Sequence, residues 1–231
     1  MSQLWRSDDE LFDLAKTELF SAVVGDVMDK MGLTRQFLPP DIQPLRDDMV
    51  VIGRAMTVLE ADVFAEQTPD SANPLMSKPF GLMLEALDSL QPHEVYICTG
   101  ATPHYALWGE LMSLRAMKCG AAGAVLDGYS RDTRGILALD FPTFSYGRYA
   151  QDQGVRGKVL DYRVPIEVGQ VRIAPGDIIF GDLDGVCVVP QSAEQAVFMA
   201  ALDKARGEKL VREAIENGMS AADAFAKYGI M

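Results

Sequence analysis

Two hydrophobic periods alternate along the chain. Leu111, Met112, Leu114, Ala116, Met117 and Cys119 recur at helical spacing, Arg115 and Lys118 fall on positions free to face water, and Gly120 follows as a stop. Gly123-Ala-Val-Leu-Asp127 is a short apolar run between glycines and reads as a buried strand; Gly128-Tyr-Ser130 then turns the chain toward Arg131 and Asp132, at the head of a helix over 131–139. Upstream, Val50 to Leu59 and Val95 to Cys98 predict strands with a helix near 80–89 between them, so residues 95–146 alternate strand, helix, strand, helix, strand. Ser7-Asp-Asp-Glu10 has the pattern of a capping box opening a helix to about Lys16, and 21–31 is a second amphipathic helix ended by Gly32. Between Gly157 and Pro190 the pattern changes to short β segments, punctuated by turn signals at Val168-Gly-Gln170, Ala174-Pro-Gly-Asp177 and Asp182-Leu-Asp-Gly185. Ser192-Ala-Glu-Gln195 predicts the start of a long helix running to about Gly218, and Ser220 that of a short last one. The order predicts an α/β protein with layered sheets, read as one domain over 1–231 with N-terminal helices and a C-terminal helical extension.

With 48% hydrophobic residues among 231 the chain can bury one substantial core. A net charge of −12 opposes a nucleic-acid surface, which needs clustered Lys and Arg. It does not oppose an anionic metabolite, which responds to the local field of its site. Cys98, Cys119 and Cys187 are odd in number, far apart and set in apolar patterns, so free thiols are expected rather than bridges or a zinc site. No run approaches the ~18 apolar residues of a membrane span, and the start, MSQLWRSDDE, has no apolar stretch of a signal peptide. No membrane contact and a cytoplasmic, reducing location are expected.

Candidate chemistry gathers at Arg131-Asp132. Ligands of open α/β sheets collect at the carboxyl ends of strands, where this pair falls. A guanidinium can hold a planar carboxylate through two parallel hydrogen bonds, and an Asp oxygen is a hard ligand suited to Mg²⁺ or Mn²⁺. The competing reading is structural, with Asp132 complementing the dipole of the helix it opens. Glu110 has the same double reading at the start of the preceding helix. Asp182 and Asp184 read as turn acids, and Glu208 as a solvated helix charge. His93 and His104 are the only histidines, too few for a His-rich zinc site, and no Schiff-base lysine motif is present.

The segments GDVMDKMG (25–32), GRAMTV (53–58), WGEL (108–111), CGAAGAVLDGYSRD (119–132) and GDLDGVCVVP (181–190) occur in that order. Together they resemble the RraA-like family over about residues 20–215. That family includes metal-dependent (class II) aldolases of 4-hydroxy-4-methyl-2-oxoglutarate and 4-carboxy-4-hydroxy-2-oxoadipate, which also decarboxylate oxaloacetate, and the ribonuclease E regulator that gave it its name. The resemblance implies an αββα sandwich of the swivelling β/β/α type. It also implies a homotrimer or dimer of trimers with active sites at subunit interfaces. Aldolase members keep the Arg-Asp pair, whereas regulator-type members typically lack the metal-binding Asp. By resemblance, Asp132 is the direct protein ligand of Mg²⁺ or Mn²⁺, and Arg131 binds the keto acid and stabilises its enolate. The loop Gly100, Ala101, Thr102, Pro103, His104 lies over the pyruvyl carboxylate, Glu110 assists, and Glu208 reaches in from a neighbouring subunit.

In one place the chain departs from the aldolase pattern. Those members tend to carry an Asp shortly after the loop glycine, whereas no acid stands between Gly100 and Glu110 here, with His104 the candidate replacement. The departure bears on the substrate and the aldol step more than on the metal. The expected function is pyruvate-forming cleavage of 4-hydroxy-2-oxo acids, with oxaloacetate decarboxylation by the same enolate stabilisation. The alternative is a non-catalytic regulator that binds a ribonuclease or other protein. A methyltransferase ranks last, because no glycine-rich strand-loop-helix with a following ribose-binding acid is present.

Overall fold

The computed structural model describes residues 4–63 and 71–230. Two helices open the chain, α1 (Asp8–Glu18) and α2 (Ser21–Lys30). Ser7 Oγ accepts from the Glu10 backbone N–H as the capping pattern predicts, but the Glu10 carboxylate accepts from Arg6 N rather than closing the box on Ser7. At α2 the cap comes from across the fold. Asp182 accepts from both the backbone N–H and the hydroxyl of Ser21, and also from Asp184 N, which agrees with its reading as a turn acid.

A mixed sheet forms the centre. Its order is β1 (Gln43–Pro44), β7 (Thr143–Ser145), β5 (Gly123–Leu126), β3 (Glu94–Thr99), β2 (Val51–Asp62), β11 (Ile178–Asp182), β12 (Gly185–Val189), with β8 (Gly157–Tyr162) also on β2. The pairs β2–β3, β3–β5 and β5–β7 are parallel. β2 is long enough to serve two neighbours on one edge, β11 along Val51–Arg54 and β8 along Val58–Asp62. The apolar pattern predicted its end at Leu59. Ladder bonds to β8 carry it on through Glu60 and Asp62, with a register shift at Leu59/Glu60. The sheet coils until it nearly closes. Leu38 N donates to Val186 O on β12 and Val188 N to Gln36 O, and the same segment then enters β1 at the opposite edge.

Helices cover both faces. On one side α1, α2 and the long α6 (Glu194–Glu216) bury Leu11, Phe12, Val24, Val27, Phe198 and Leu202 against Ile52, Ile178, Phe180 and Val189. On the other, α3 (Met83–Asp88), α4 (Glu110–Lys118) and α5 (Thr133–Ala138) pack over β3 and β5, whose residues are buried throughout. The ribbon of β9 (Ile166–Val168) and β10 (Val171–Ile173) joins this second core, and α7 (Ala221–Tyr228) packs on α6. The architecture is the expected αββα sandwich of the swivelling β/β/α type. α6 starts at Glu194 behind Ala193, with no side-chain cap, so the box expected from Ser192 does not form. Ser220 does cap α7 through Asp223 N. The three cysteines are free, with Cys98 and Cys187 buried and Cys119 half-buried. Among the described residues no helix is long and apolar enough to cross a membrane.

α4 meets the expected burial in part. Ala116 is buried, Met112 and Cys119 pack on the core, and Arg115 and Lys118 face water as expected, but Ser113 is buried while Leu111, Leu114 and Met117 are exposed. Ser113 is buried for a purpose: its hydroxyl accepts from Trp108 Nε1 and donates to Gly109 O. Part of the stripe that periodicity marks as a core face, Leu111, Leu114 and Met117, is therefore an uncovered apolar surface.

Candidate active site

Arg131 and Asp132 follow two very short parallel strands, β4 (Ala106–Trp108) and β6 (Tyr129–Ser130). Trp108 anchors the pair. Its indole is buried between Tyr96 and Phe141, with ring centroids 4.8 and 6.1 Å away, and its carbonyl accepts from Arg131 N at 2.9 Å. Asp132 then takes a left-handed backbone, φ +54, at the N-cap of α5. Such a conformation costs a non-glycine residue about 1 kcal/mol or more, and it persists only where the surroundings impose it. Its carbonyl accepts from Gly135 N and Ile136 N and starts the helix, while its carboxylate makes no capping bond. Asp132 thus stands at the N-cap, where its charge can complement the dipole of α5, without spending its carboxylate on a capping hydrogen bond. The carboxylate rests above Gly109, where a Cβ would come within 2.7 Å of Oδ2, so a side chain at 109 would push it from this position.

The guanidinium stands between two carboxylates. Arg131 Nη1 meets Asp152 Oδ1 at 2.8 Å, and Nε lies 3.7 Å from Asp132 Oδ2. All three side chains are partly exposed, so the ion pairs contribute no more than about 1 kcal/mol each, and an incoming carboxylate can displace Asp152. The Asp152 segment is held from both ends. Gln151 O accepts from Ala106 N at the edge of β4, and Gln153 Nε2 donates to Glu60 Oε2 at 2.5 Å. Glu60 lies fully buried behind the site. Burial pushes its carboxyl up to about 7, against the hydrogen bonds from Cys98 and Gln153, and its Oε1 has no partner, nor has the hydroxyl of Tyr96 nearby.

Arg131, Asp132, Asp152 and Gln153 form one end of a chamber of about 410 Å³ whose other walls come from α3, α4 and β4. A second cleft, about 380 Å³, opens on the other side of Arg131-Asp132, beside Arg148 and Tyr149.

Other expected site residues fall elsewhere. The loop Gly100, Ala101, Thr102, Pro103, His104 does not line the chamber, which begins at Ala106. Asp62 draws the loop aside, accepting from Thr102 N, Thr102 Oγ1 and Tyr105 OH, and His104 is exposed. Glu110 packs its carboxylate on α5, where a Cβ on Gly135 would come within 2.3 Å of it. It thus serves the positive ends of α4 and α5, as its dipole reading predicts. Glu208 pairs with Lys204 on α6, in the opposite helix layer. Asp152 had no periodic signal in a stretch without regular structure; an acid between two amides, Gln151-Asp152-Gln153, was the available clue.

The family model described as RraA-like, Aldolase/RraA, matches residues 21–188. The chain belongs to the RraA-like family. A relative from Halalkalibacterium halodurans named "Putative 4-hydroxy-4-methyl-2-oxoglutarate aldolase" is 32% identical over 208 residues, 87% of each chain. RraAS2 of Streptomyces coelicolor, described as an unusual member of the RNase ES inhibitor RraA protein family, superposes with a TM-score of 0.74 at 25% identity, over 90% of this chain and 98% of that one. An uncharacterized protein from Pseudomonas syringae shares the fold over 99% of this chain and 98% of its own, with a TM-score of 0.82 at 24% identity.

Proposed function

We propose that this RraA-like protein is a divalent-metal-dependent lyase that releases pyruvate from 4-hydroxy-2-oxo acids and decarboxylates oxaloacetate. The observation that carries this reading is the Asp132 carboxylate, turned away from its helix by a left-handed backbone and set beside Arg131 at a chamber wall. The donor set suits Mg²⁺ or Mn²⁺. One hard carboxylate with waters satisfies these ions, and among the described residues no three His, Cys, Asp or Glu side chains converge as a preformed cage. Asp132 would hold the cation, which supplies positive charge beside the developing enolate oxygen.

The chain's own groups account for the remaining requirements. The Arg131 fork receives the 2-oxo acid carboxylate and stabilises the charge that appears on the pyruvyl oxygen as the C3–C4 bond breaks. Displaced from Nη1 by that carboxylate, Asp152 becomes a free acceptor for the C4 hydroxyl proton, which it can return to C3 of the enolate. In this way Asp152 can serve where the loop after Gly100 lacks an acid. Oxaloacetate needs no hydroxyl proton removed, so the loss of CO2 depends on Arg131 and Asp132, and the enolate left behind takes its C3 proton from water. The exposed apolar stripe of α4 supports assembly into a homotrimer or dimer of trimers, through which Glu208 of a neighbouring copy can approach the site. The RNase-inhibitor description of RraAS2 belongs to that protein; an Asp132 carboxylate not used to cap its helix favours the enzyme here.

The test is pyruvate release from oxaloacetate and from 4-hydroxy-4-methyl-2-oxoglutarate with Mg²⁺, Mn²⁺ or chelator. Asp132→Ala is expected to abolish metal-dependent release while lowering the melting temperature by no more than a few degrees, since α5 starts on the Asp132 carbonyl but Ala tolerates the left-handed backbone less well than Asp. Arg131→Ala should lower kcat/KM by about a hundredfold or more. Full activity in Asp132→Ala would sink the proposal.

A further inference from the structure

The proposed substrates carry two carboxylates, and Arg131 accounts for one of them. Three or four C–C bonds of about 1.5 Å separate the two carboxyl carbons, so the second lies within roughly 5 Å of the first. Two further guanidiniums line the spaces around Arg131 and Asp132. Arg115 belongs to the chamber, where its Nε is bonded to Asp88 at 2.7 Å. It also stands well along α4 from Gly109, the residue in contact with Asp132, at a rise of about 9 Å. Arg148 belongs to the outer cleft of about 380 Å³, which it lines together with Arg131, Asp132 and Thr133. Among the described residues no carboxylate pairs with its guanidinium, and Asp132 is the one acid on the cleft's walls.

The backbone fixes where Arg148 starts. Ser130 bridges it in parallel: Tyr149 N donates to Ser130 O at 2.9 Å, and Ser130 N donates to Gly147 O at 3.0 Å. Gly147, at φ +114, supplies the turn, and the Tyr149 ring packs edge-on against Tyr129 with centroids 5.6 Å apart. Arg148 therefore leaves the chain one strand spacing, about 4.8 Å, from the residue before Arg131. We infer that Arg148 holds the second carboxylate of the substrate, so that the outer cleft distinguishes dicarboxylic from monocarboxylic 2-oxo acids. The inference rests on the reading of Arg131 as the anchor of the first carboxylate. It sorts the groups on C4 of 4-hydroxy-4-methyl-2-oxoglutarate, sending the hydroxyl to Asp152 on the chamber side and the carboxylate to Arg148 on the cleft side. Asp152, once displaced from Arg131, opposes a second negative charge in the chamber, whereas Arg148 attracts it into the cleft.

Calorimetric titration with stable 2-oxo acids in the presence of Mg²⁺ separates this inference from the question of catalysis. The probes are 2-oxoglutarate and 2-oxopentanoate, which differ only in a carboxylate or a methyl at C5, with pyruvate as the probe of the anchor. 2-Oxoglutarate is expected to bind about fivefold more tightly than 2-oxopentanoate, the gain of a well-formed ion pair at an exposed arginine. Arg148→Ala should erase that advantage, Arg148→Lys should keep part of it, since an ammonium retains the charge without the fork, and Arg115→Ala should keep all of it. Equal affinities of the two probes for the wild-type protein would overturn the inference. So would an advantage that Arg115→Ala removes and Arg148→Ala does not, which would place the second carboxylate in the chamber. Arg131→Ala should weaken all three ligands. Pyruvate binding unchanged in that variant would fell the anchor reading together with the inference, whereas weakened pyruvate binding there, with equal affinities of the two probes for the wild type, would overturn the inference alone. An advantage that depends on Arg148, without pyruvate release in the lyase assay, would support the inference and remove only the proposed reaction.

Discussion

At the scale of single residues the site depends on side chains denied their ordinary partners. Asp132 has a helix to cap and does not cap it, and Glu60 is an acid held in an apolar wall. The second has a measurable consequence for stability. An unfolded Glu titrates near 4.5, while buried Glu60 is raised to about 7, so the folded state holds its proton more tightly. Below pH 4.5 both states are protonated and nothing is lost. Between pH 4.5 and 7 the unfolded chain releases the proton first and stability falls; above pH 7 the loss is complete, at about 3 kcal/mol. The neighbours Cys98, Tyr96 and Tyr105 are pushed upward by burial and stay neutral through this window. Glu60→Gln removes the titration. Thermal melts of the two proteins should agree near pH 4.5 and diverge until the variant is several degrees more stable at pH 8. Parallel curves would show that Glu60 titrates as an ordinary carboxylate.

At the scale of elements, long periodic segments were legible and short ones were not. α1, α2, β3, β5 and α6 follow from spacing because each buries a whole face. β4 and β6, of three and two residues, have no period to read, yet they place Arg131 and Asp132. Periodicity also located α4 and assigned Met112, Ala116 and Cys119 to the core correctly, but Leu111, Leu114 and Met117 stay outside while the polar Ser113 is buried. Arg131 and Asp132 were visible as a dipeptide; Asp152 was not, since a contact across 21 positions leaves no mark in local pattern. The Gly109–Asp132 contact joins two such elements and can be tested at the joint. Gly109 has φ −154, extended backbone open to any residue, so Gly109→Ala leaves the start of α4 intact and directs the new methyl at Asp132 Oδ2. Mn²⁺ affinity, followed by electron paramagnetic resonance, should fall about tenfold or more with an unchanged melting temperature. Undiminished Mn²⁺ binding would mean that the metal does not depend on this carboxylate's position.

At the scale of the molecule the two helix layers raise a problem of reach. Asp132 belongs to the α3–α5 side of the sheet and Glu208 to the α6 side, so within one chain the sheet lies between them. If Glu208 contributes to the reaction it does so across the subunit boundary of the proposed oligomer; Leu111, Leu114 and Met117 are uncovered on α4, and Leu111 lies on the chamber wall. Closed rings of identical subunits make this testable by complementation. Asp132→Ala and Glu208→Ala are each expected to be inactive alone. In co-expressed mixtures, however, some sites pair an intact Asp132 from one subunit with an intact Glu208 from the next. Random assembly of equal amounts restores about a quarter of the wild-type sites, read as pyruvate release from the co-purified mixture. Activity that stays at the level of the separate variants would assign Glu208 to its ion pair with Lys204 and leave each chain with a complete site of its own.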